Sequence, residues 1–467
     1  MSRYPPAPVT RPPTSRGTEI RDPLHGAIPV SGRERAMLDH PLFQRLRHVR
    51  QLGFSDLSFP GATHTRYLHS VGAMHLAGIA FDVVFDGPAA ADVPPERRED
   101  LRALLRTAAL LHDSGHAPFS HASEFAMPPV RELAIPLYLE HPDRYPPDRQ
   151  ATHEDYTIKL ITDSSLTRLV EGDGAFPAAA VAGLVDPSLP VDPRWYEAGG
   201  VDWRPLLQQL ISSELDVDRM DYLGRDSHFA GVHYGVFDVG WLSSNLAAHV
   251  ENGRAWLALG GRAIYAFEDF LIARFHMFLM VYFHYRSVAY EEMLRRYFAD
   301  GGEGWAFPTD IEDYRFVDDS SLYAHLRRSD NSWARRIVDR KEYKLLLERH
   351  GTPENVDLTP VVNALRSAGI DHFQAQSRGQ LSKYFHHRKG SSDGQASLPL
   401  GAAQDELPTA PIYVLGQRYR GATRPEVSEL EDSTRLFARY EDQLRLSRVY
   451  VPPDQVEAAG RAIDRLV

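Results

Sequence analysis

The sequence predicts a mainly α-helical protein with a small C-terminal α+β lobe. Segments 101–113 and 204–226 repeat apolar residues at helical spacing, and 266–298 is nearly apolar all round, as in a buried helix. Strand-like pieces such as RAWLALG (254–260) are few. Near the C terminus, PIYVLG and SRVYVPP read as strands, each close to a helical stretch, which predicts the small mixed lobe.

Composition along the chain predicts four regions. Residues 1–17 are rich in Pro, Arg and Ser and are expected to form a disordered tail. Residues 18–385 carry the long helical segments and are expected to form one large domain. The stretch 386–410 is polar and rich in Gly, Ser and Pro, which is typical of a linker or loop. Residues 411–467 then form the small α+β lobe.

Composition and charge narrow the classes of function. Hydrophobic residues make up 43% and charged residues 25% of the chain, an ordinary globular balance. The net charge of -11 argues against nucleic acid as a partner, because a polyanion binder needs a basic face. There are no cysteines, so a metal must be held by His, Asp, Glu, backbone or water. The N terminus has no secretory signal, and no stretch approaches the ~18 apolar residues of a membrane span. We therefore expect a cytoplasmic protein with no membrane partner.

The segment LLHDSGHAPFSHASE (110–124) carries the densest group of ionisable side chains. The adjacent pair His112 and Asp113 lies at the end of an apolar helix. Adjacent helical residues point ~100° apart, so both can converge on one ion, and imidazole with carboxylate suits a divalent metal. Taken alone, such a pair is more often a coincidence. Three further ionisable residues follow it: His116, His121 and Glu124.

Two other segments extend this pattern. THTRYLHSVG (63–72) places His69 at a predicted helix start. ELDVDRMDYLGRD (214–226) places Asp218 on a helix, with Tyr222 four residues later on the same side. By itself Asp218 is equally well read as a solvated surface acid. Few sequences show H…HD…D in this order with each member in a helix, so we predict a metal site built from His69, His112, Asp113 and Asp218.

The order H…HD…D resembles the signature of the HD superfamily of phosphohydrolases. Further blocks resemble the deoxynucleoside triphosphate triphosphohydrolases, above all the catalytic domains of the SAM-and-HD-domain enzymes and their bacterial homologues. The blocks run from about residue 20 to residue 463 and include RDPLHG (21–26), HPLFQRLRHVRQLG (40–53), THED (152–155), LDVDRMDYLGRDSHFAGV (215–232) and the C-terminal 440–463. The resemblance implies a helical HD-domain fold. The short stretch before the first block leads us to expect no SAM domain.

The resemblance also implies a reaction. In such enzymes the four ligands hold one divalent ion, here Mn, Fe, Zn or Mg, and water attacks the α-phosphorus of a dNTP. The products are a deoxynucleoside and intact triphosphate. His121 matches the family's general acid, and Glu124 matches the carboxylate that orients it. His116 and His153 match positions around the phosphates or a second ion such as Mg²⁺.

Substrate-binding residues follow from the same resemblance. Three arginines match phosphate-binding positions: Arg66, Arg219 and Arg274. Gln51 and Asp226 match groups that hold the 3′ hydroxyl. The wall around the sugar is matched by Leu52, Tyr222 and Tyr282. In the family a Tyr at the place of Tyr282 crowds C2′ and disfavours ribonucleotides, although without the resemblance it reads as an ordinary core aromatic.

The chain departs from the family pattern near the base and at a regulatory site. Phe283 and Phe278 replace a Gln and a His, so the base preference is open. Four residues match part of a site for an activating dGTP-like or GTP-like nucleotide: Asp39, Gln44, Arg45 and Arg47. A Lys expected near Thr18 is missing. The same QRLRHVR stretch also reads as an ordinary amphipathic basic helix face.

Two alternatives stay open at this point. An HD-type phosphodiesterase, nucleotidase or nuclease would use the same metal site, although the arginine set favours a polyphosphate. A non-catalytic binding protein would usually have lost some ligands, whereas all four ligands and the His121/Glu124 pair are present. We also expect a homodimer or homotetramer, by analogy with the family and because segment 266–298 is more apolar than one core readily buries.

Overall fold

The computed structural model describes residues 18–172, 174–351, 357–379, 411–416, 425–434, 436, 444–464 and 466. The predicted tail (1–17) and linker (386–410) lie outside these residues. The prediction of a mainly α-helical chain is confirmed for the described part, which adds several sheets toward the C terminus.

Helices form most of the chain before residue 245. In order they are α1 (Gly32–Leu38), α2 (Pro41–Gln44), α3 (Arg66–Phe85), α4 (Pro95–Leu111), α5 (Val130–Leu133), α6 (Pro136–Leu139), α7 (His153–Thr162), α8 (Thr167–Glu171), α9 (Ala178–Val185), α10 (Arg204–Ile211), α11 (Val217–Ala230) and α12 (Val239–Ser243). The later helices are α13 (Ile264–Met277), α14 (Tyr285–Ala299), α15 (Asp319–Arg328), α16 (Ser332–Val338), α17 (Thr359–Ser367), α18 (Leu430–Ser433) and α19 (Val456–Ile463).

The strands of the described residues form three sheets. In chain order the strands are β1 (Thr18–Asp22), β2 (Gly26–Val30), β3 (Glu197–Ala198), β4 (Val201–Asp202), β5 (Leu246–Glu251), β6 (Arg254–Gly260), β7 (Lys344–Gly351), β8 (Phe373–Gly379), β9 (Tyr413–Gly416), β10 (Glu426–Glu429) and β11 (Leu444–Val451). β1 and β2 form an antiparallel hairpin in which Thr18 pairs with Val30. The second sheet has the order β10-β9-β6-β4-β3, with β5 also paired to β6, and the third has the order β7-β11-β8.

The C-terminal strands do not form a lobe of their own. β9 lies parallel to β6, with Ala258 opposite Tyr413, and β11 lies between β7 and β8. Both sheets therefore combine strands from before residue 385 with strands from after residue 411. The predicted boundary between residues 18–385 and 411–467 does not separate two independent sheets, because hydrogen bonds between distant strands leave no trace in local periodicity.

Helix α3 lies at the centre of the main core, packed against α4 and α11. By length and composition, this 20-residue helix could span a membrane, which was not predicted from the sequence. However, 78% of its most apolar 18-residue stretch is buried inside the protein. α3 is thus a core helix. Because it crosses the middle of the core, it fixes the residues at its N-terminal end relative to α4 and α11.

Two predicted long helices are interrupted. Segment 204–226 breaks between α10 and α11, where Asp216 caps α11 by accepting the Arg219 N–H at 2.7 Å. Segment 266–298 passes through a π-helical turn at Phe278–Tyr282, and His284 then caps α14. Most of this segment is buried or half-buried, as expected, but Met280 is 48% exposed. Apolar spacing alone does not reveal a polar cap inside a helical pattern.

Candidate active site

Three helix ends meet around the predicted metal ligands. His69 lies in the first turn of α3 and Asp218 in the first turn of α11. Helix α4 ends at Leu111, and His112 and Asp113 follow as the chain turns away. The three helices pack on one another, so the structure brings all four side chains together.

The candidate ligand atoms face one another at close range. His69 Nε2 lies 3.0 Å from Asp218 Oδ1 and 3.4 Å from Asp113 Oδ2. His112 Nε2 lies 3.4 Å from Oδ1 of both aspartates. Ligand atoms about 2.1 Å from a shared ion lie roughly 3.0–3.4 Å apart in tetrahedral or octahedral geometry. The spacing therefore fits a divalent metal ion.

The second ring nitrogen of each histidine is already engaged. His112 Nδ1 donates to the Ala109 carbonyl at 2.8 Å, and His69 Nδ1 bonds Asp221 Oδ2 at 2.9 Å. These bonds leave each Nε2 as the atom with a free lone pair, as a metal ligand requires. Both Nε2 atoms are buried and have no hydrogen-bond partner among the described residues. Because buried polar atoms rarely lack partners, this orphan pair also fits a bound cation.

The two carboxyl groups of the candidate ligand set retain the negative charge that a metal needs. Burial alone would raise the pKa of Asp113 and of Asp218, but nearby histidines, joined by Arg66 at Asp113, hold the pKa of both carboxyls below its usual range. Burial would lower the pKa of His69, yet three neighbouring carboxylates raise it well above its usual value. A divalent cation bound here would take the place of that proton and balance the same negative charge.

A buried network that sequence reasoning missed supports His69. Asp221 accepts from His69, from Arg225 through two bonds of 2.8 Å, and from His25 Nε2 at 2.7 Å. Arg225 also donates to Asp22 Oδ2 at 2.8 Å. The Asp22, Asp221 and Arg225 side chains are at most 1% exposed, so each charge depends on its partner. The RDPLHG block and the Asp-x-x-x-Arg spacing in α11 were the available signals.

Gly72 provides the room for this network, which leads to a testable prediction. A Cβ atom at Gly72 would overlap the side chains of Asp221 and Arg225. We expect Gly72→Ala to lower the free energy of unfolding by about 1–3 kcal/mol, as overpacking does, and to weaken metal binding. Gly460→Ala, in α19 with nothing within 4 Å of the added carbon, is the matched control and should be neutral or stabilising. Equal denaturation midpoints for the two variants would contradict the role of Gly72.

A second cluster combines three histidines around one carboxylate. Glu124 bonds His121 Nδ1 at 3.0 Å through Oε2 and His153 Nδ1 at 2.8 Å through Oε1. The His116 ring stacks on His153 with centroids 3.9 Å apart, and its Nε2 lies 3.3 Å from Asp113 Oδ1. The cluster therefore adjoins the metal-ligand set. With Nδ1 held by Glu124, Nε2 is the free atom of His121.

The charge in this cluster rests on His153. Burial opposes protonation, but Glu124 raises the pKa of His153 to about 9. Burial lowers the pKa of His121 despite Glu124, and burial with nearby Arg66 and His153 lowers the pKa of His116. Three imidazoles are a poor set for Mg²⁺, which prefers oxygen, so the predicted second Mg²⁺ would need substrate oxygens as ligands.

The three predicted phosphate-binding arginines are buried and paired with carboxylates. Arg66 Nη1 donates to Asp113 Oδ2 at 2.5 Å and its Nε to Ser120 Oγ at 3.0 Å. Arg219 pairs with Asp216, and Arg274 Nη1 lies 3.3 Å from Glu214 Oε2. Of the three, Arg66 directly contacts a predicted metal ligand.

Three of the predicted sugar-binding residues, Asp226, Tyr222 and Tyr282, form a connected group. Asp226 accepts from Tyr282 Oη at 2.8 Å and bonds His64 Nε2 at 2.7 Å. Tyr222 packs edge-on against Tyr282, with ring centroids 6.3 Å apart, and lies at 6.4 Å from the His69 ring. Leu52 packs against the main core. The side-chain oxygen of the preceding residue, Gln51, is buried and has no hydrogen-bond partner among the described residues. The role of His64 as a partner of Asp226 was not predicted from the sequence, although His64 lies in segment 63–72.

The predicted regulatory residues are not equally accessible to a nucleotide in solution. Arg45 is buried, and its guanidinium donates to the Ser114 and Val317 carbonyls at 2.8 Å each. It therefore supports the loop after α4 and does not present a charge to a nucleotide in solution. Arg47 stacks over Tyr67 and bonds Gln44 Oε1 at 2.7 Å, and Asp39 is exposed. These three residues remain near the surface.

Two family models match parts of the chain. The model of the HD domain matches residues 66–185, and that of the HD-associated region matches residues 244–368. The first match contains His69, His112 and Asp113, whereas Asp218 lies between the two.

Relatives in sequence are moderately distant. An uncharacterized protein of Methanocaldococcus jannaschii is 30% identical over 342 residues, or 73% of this chain and 61% of that protein. An uncharacterized protein of Bacillus subtilis is 28% identical over 75% of this chain and 77% of that protein. The human deoxynucleoside triphosphate triphosphohydrolase SAMHD1 is 30% identical over 46% of this chain and 33% of that enzyme. The chain thus spans about three fifths of the first of these relatives and a third of the last.

Solved structures share the fold. A hypothetical protein from Aquifex aeolicus superposes with a TM-score of 0.68 and 24% identity, covering 96% of this chain and all of that one. A phosphohydrolase from Bacteroides thetaiotaomicron gives a TM-score of 0.63 and 21% identity, covering 93% of this chain and 99% of that one. At these identities the likeness establishes the architecture only.

Proposed function

Since the chain carries an HD domain and an HD-associated region, we propose that it is a cytoplasmic, metal-dependent phosphohydrolase that cleaves dNTPs to deoxynucleoside and triphosphate. One observation carries the substrate class: residues suited to phosphate and to sugar adjoin the same ligand set. Arg66 contacts Asp113, and Tyr222 packs between His69 and Tyr282. The similarity to SAMHD1 supports the same reading.

Different residues of the chain would bind the metal, neutralise the phosphate charge and donate the proton. A divalent ion bound by the four ligands would polarise the α-phosphate and supply a nucleophilic water near neutral pH. Arg66 neutralises phosphate charge beside Asp113. His121, held at Nδ1 by Glu124, delivers a proton from Nε2 to the departing 5′ oxygen. Bound phosphates add negative charge, which favours the protonated imidazole despite burial.

Product analysis tests the reaction. Incubation with each of the four dNTPs, with and without added dGTP, should release deoxynucleoside and triphosphate as first products. Pyrophosphate or single phosphate would refute the reaction type. A stimulation by dGTP would support the regulatory nucleotide proposed at Asp39, Gln44 and Arg47. Cyclic dinucleotides and single-stranded DNA in the same screen test the alternative HD phosphodiesterase, nucleotidase or nuclease.

Tyr282 is the proposed barrier to ribonucleotides. A 2′ hydroxyl against its ring would lack a partner, which costs about 1–3 kcal/mol, or roughly tenfold to a hundredfold in rate. Tyr282→Ala should narrow the ratio of dNTP to NTP turnover while dNTP turnover falls less than in metal-ligand variants. Tyr282→Phe, which keeps the ring and loses only the bond to Asp226, is the control and should keep most of the discrimination. Equal rates on dGTP and GTP in the parent would refute the barrier.

We also propose that the protein assembles as a dimer or tetramer. Apolar side chains remain exposed along the α13–α14 segment, including Tyr265, Met280 and Tyr285. A neighbouring copy that covers them would remove apolar surface from water. Light scattering at micromolar concentration, with and without nucleotide, should give two or four times the mass of the chain. A monomer under both conditions would count against the proposal.

A further inference from the structure

The residues immediately before His121 form a strained turn. Phe119 and Ser120 both have φ of 56°, the left-handed region that residues with a Cβ rarely adopt. Two such residues in succession persist only where the surroundings hold them, and strain of this kind is concentrated at functional sites. The turn leads directly into the proposed proton donor and contains Ser120, which accepts from Arg66.

Asp319 holds this turn from the far side of the sequence. Its Oδ1 accepts the Phe119 N–H at 2.6 Å, and its Oδ2 accepts the Arg50 N–H at 3.1 Å. The Ser120 hydroxyl donates to the Arg50 carbonyl at 2.7 Å. The backbone of Arg50 is therefore linked to the turn through its carbonyl and to Asp319 through its N–H. Arg50 directly precedes Gln51, one of the proposed sugar-binding residues.

Neighbours of Asp319 support the same loop. Tyr314 Oη donates to the Gly115 carbonyl at 2.8 Å, and Arg45 bridges the Ser114 and Val317 carbonyls. The segment 314–319 lies within the HD-associated region, whereas the loop it contacts lies within the HD domain. The second region therefore backs the catalytic loop of the first.

Burial of the Asp319 carboxyl group costs folding free energy. The carboxyl group is buried, and the Arg50 guanidinium pairs with Asp56 at 2.7 Å. Burial raises the pKa of Asp319 to about 7, although both N–H bonds and Arg50 oppose the shift and Asp318 adds to it. A carboxylate kept in such a place is better explained by what it holds than by net stabilisation.

We propose that Asp319 is a positioning residue that fixes the Phe119–Ser120 turn and thereby places His121 for proton transfer. This inference rests on the proposed function, because it takes His121 as the proton donor. Asp319 acts through the turn and does not touch the substrate. Loss of one of its two acceptor oxygens frees the turn to relax toward ordinary backbone conformations.

Kinetics of Asp319→Asn test this role. The amide can accept with one atom only, so one of the two N–H groups loses its partner. We expect kcat to fall by about 10²-fold, as for an acid displaced by about 1 Å, with KM and metal content unchanged. Asp318→Asn is the matched control: Asp318 caps α15 by accepting the Ser321 N–H and does not bond the turn, so its kcat should stay at the parent level. Changes of the same size in both variants, in KM as well as in kcat, would overturn the proposal.

A double-mutant cycle separates positioning from general damage. In a His121→Ala background, Asp319→Asn should lower kcat by less than about threefold, because the group it positions is gone. Additive losses in the cycle would overturn the proposal. If Asp319→Asn is not folded by circular dichroism, Asp319→Glu, which keeps two acceptor oxygens, enters the same cycle with a smaller expected loss.

Hydrogen exchange gives a readout that needs no activity. Amides of residues 119–122 should exchange faster in Asp319→Asn than in the parent and in Asp318→Asn. A parent that hydrolyses no dNTP would refute the proposed function while this comparison still decides whether Asp319 holds the turn. Unchanged exchange in Asp319→Asn would overturn the positioning role whatever the substrate.

Discussion

His112→Ala and Asp113→Ala should each lose bound metal and hydrolysis together. Each residue belongs to the candidate ligand set, in which the histidine Nε2 atoms lie 3.0–3.4 Å from aspartate oxygens, and its removal leaves an open, incomplete set. The loss of metal affinity should exceed the ~10–100-fold that follows from removing an outer hydrogen-bond partner. Elemental analysis of the purified variants, alongside product release, measures both effects.

Asp221→Asn is the graded control for these variants. It keeps all four ligands but weakens the acceptor that orients His69, so metal affinity should fall by about 10–100-fold and activity should return at high metal concentration. An inactive His112→Ala variant with full metal occupancy would contradict the ligand assignment. Failure of added metal to restore Asp221→Asn would contradict its role as an outer partner.

His121→Ala should keep the metal and slow the reaction by about 10²–10⁴-fold, the usual contribution of a general acid. His121 is not among the four ligands, and its Nδ1 bonds Glu124 at 3.0 Å, so the ion should bind normally. Single-turnover rates with metal content measured on the same sample give the comparison. Loss of metal in this variant would place His121 in the ligand set instead.

A modified substrate sharpens the test of His121. When sulfur replaces the 5′ oxygen, the leaving group departs as a thiolate, whose conjugate acid has a pKa of about 8.5, and needs no proton. The loss in His121→Ala should then shrink toward parent rates. An equal loss with sulfur and with oxygen would exclude His121 as the proton donor and leave it a binding residue.

Local pattern predicted two of the helix ends that carry candidate ligands. His69 lies at a helix start and His112 at a helix end, because apolar periodicity with an abrupt polar break marks a terminus, whereas Asp218 was predicted only to lie on a helix. The break between α10 and α11 was not predicted, since Asp216 acts as a cap only in the folded geometry. The family resemblance, rather than periodicity, singled out Tyr282, which the structure joins to Asp226.

Partners distant in sequence could not be predicted. Arg45 reads as a surface cation in an amphipathic stretch, yet its carbonyl acceptors are at residues 114 and 317. Asp221 and Asp22 are joined through Arg225 and His25, and β11 pairs with two much earlier strands, with Leu444 opposite Gly379 and Val451 opposite Lys344. Each of these contacts depends on the three-dimensional path of the chain, which spacing within one segment does not encode.

The 200 residues that separate Phe119 from Asp319 impose an order on biosynthesis. At roughly 5–20 residues per second, a ribosome needs about 10–40 s to travel from one to the other. During that interval the nascent polypeptide already displays the histidines and aspartates of the HD segment, without the carboxylate that fixes the turn beside them. Maturation of the enzyme is therefore completed late in translation, and a chain released between residues 218 and 319 would carry the candidate ligands but lack the carboxylate proposed to align its acid.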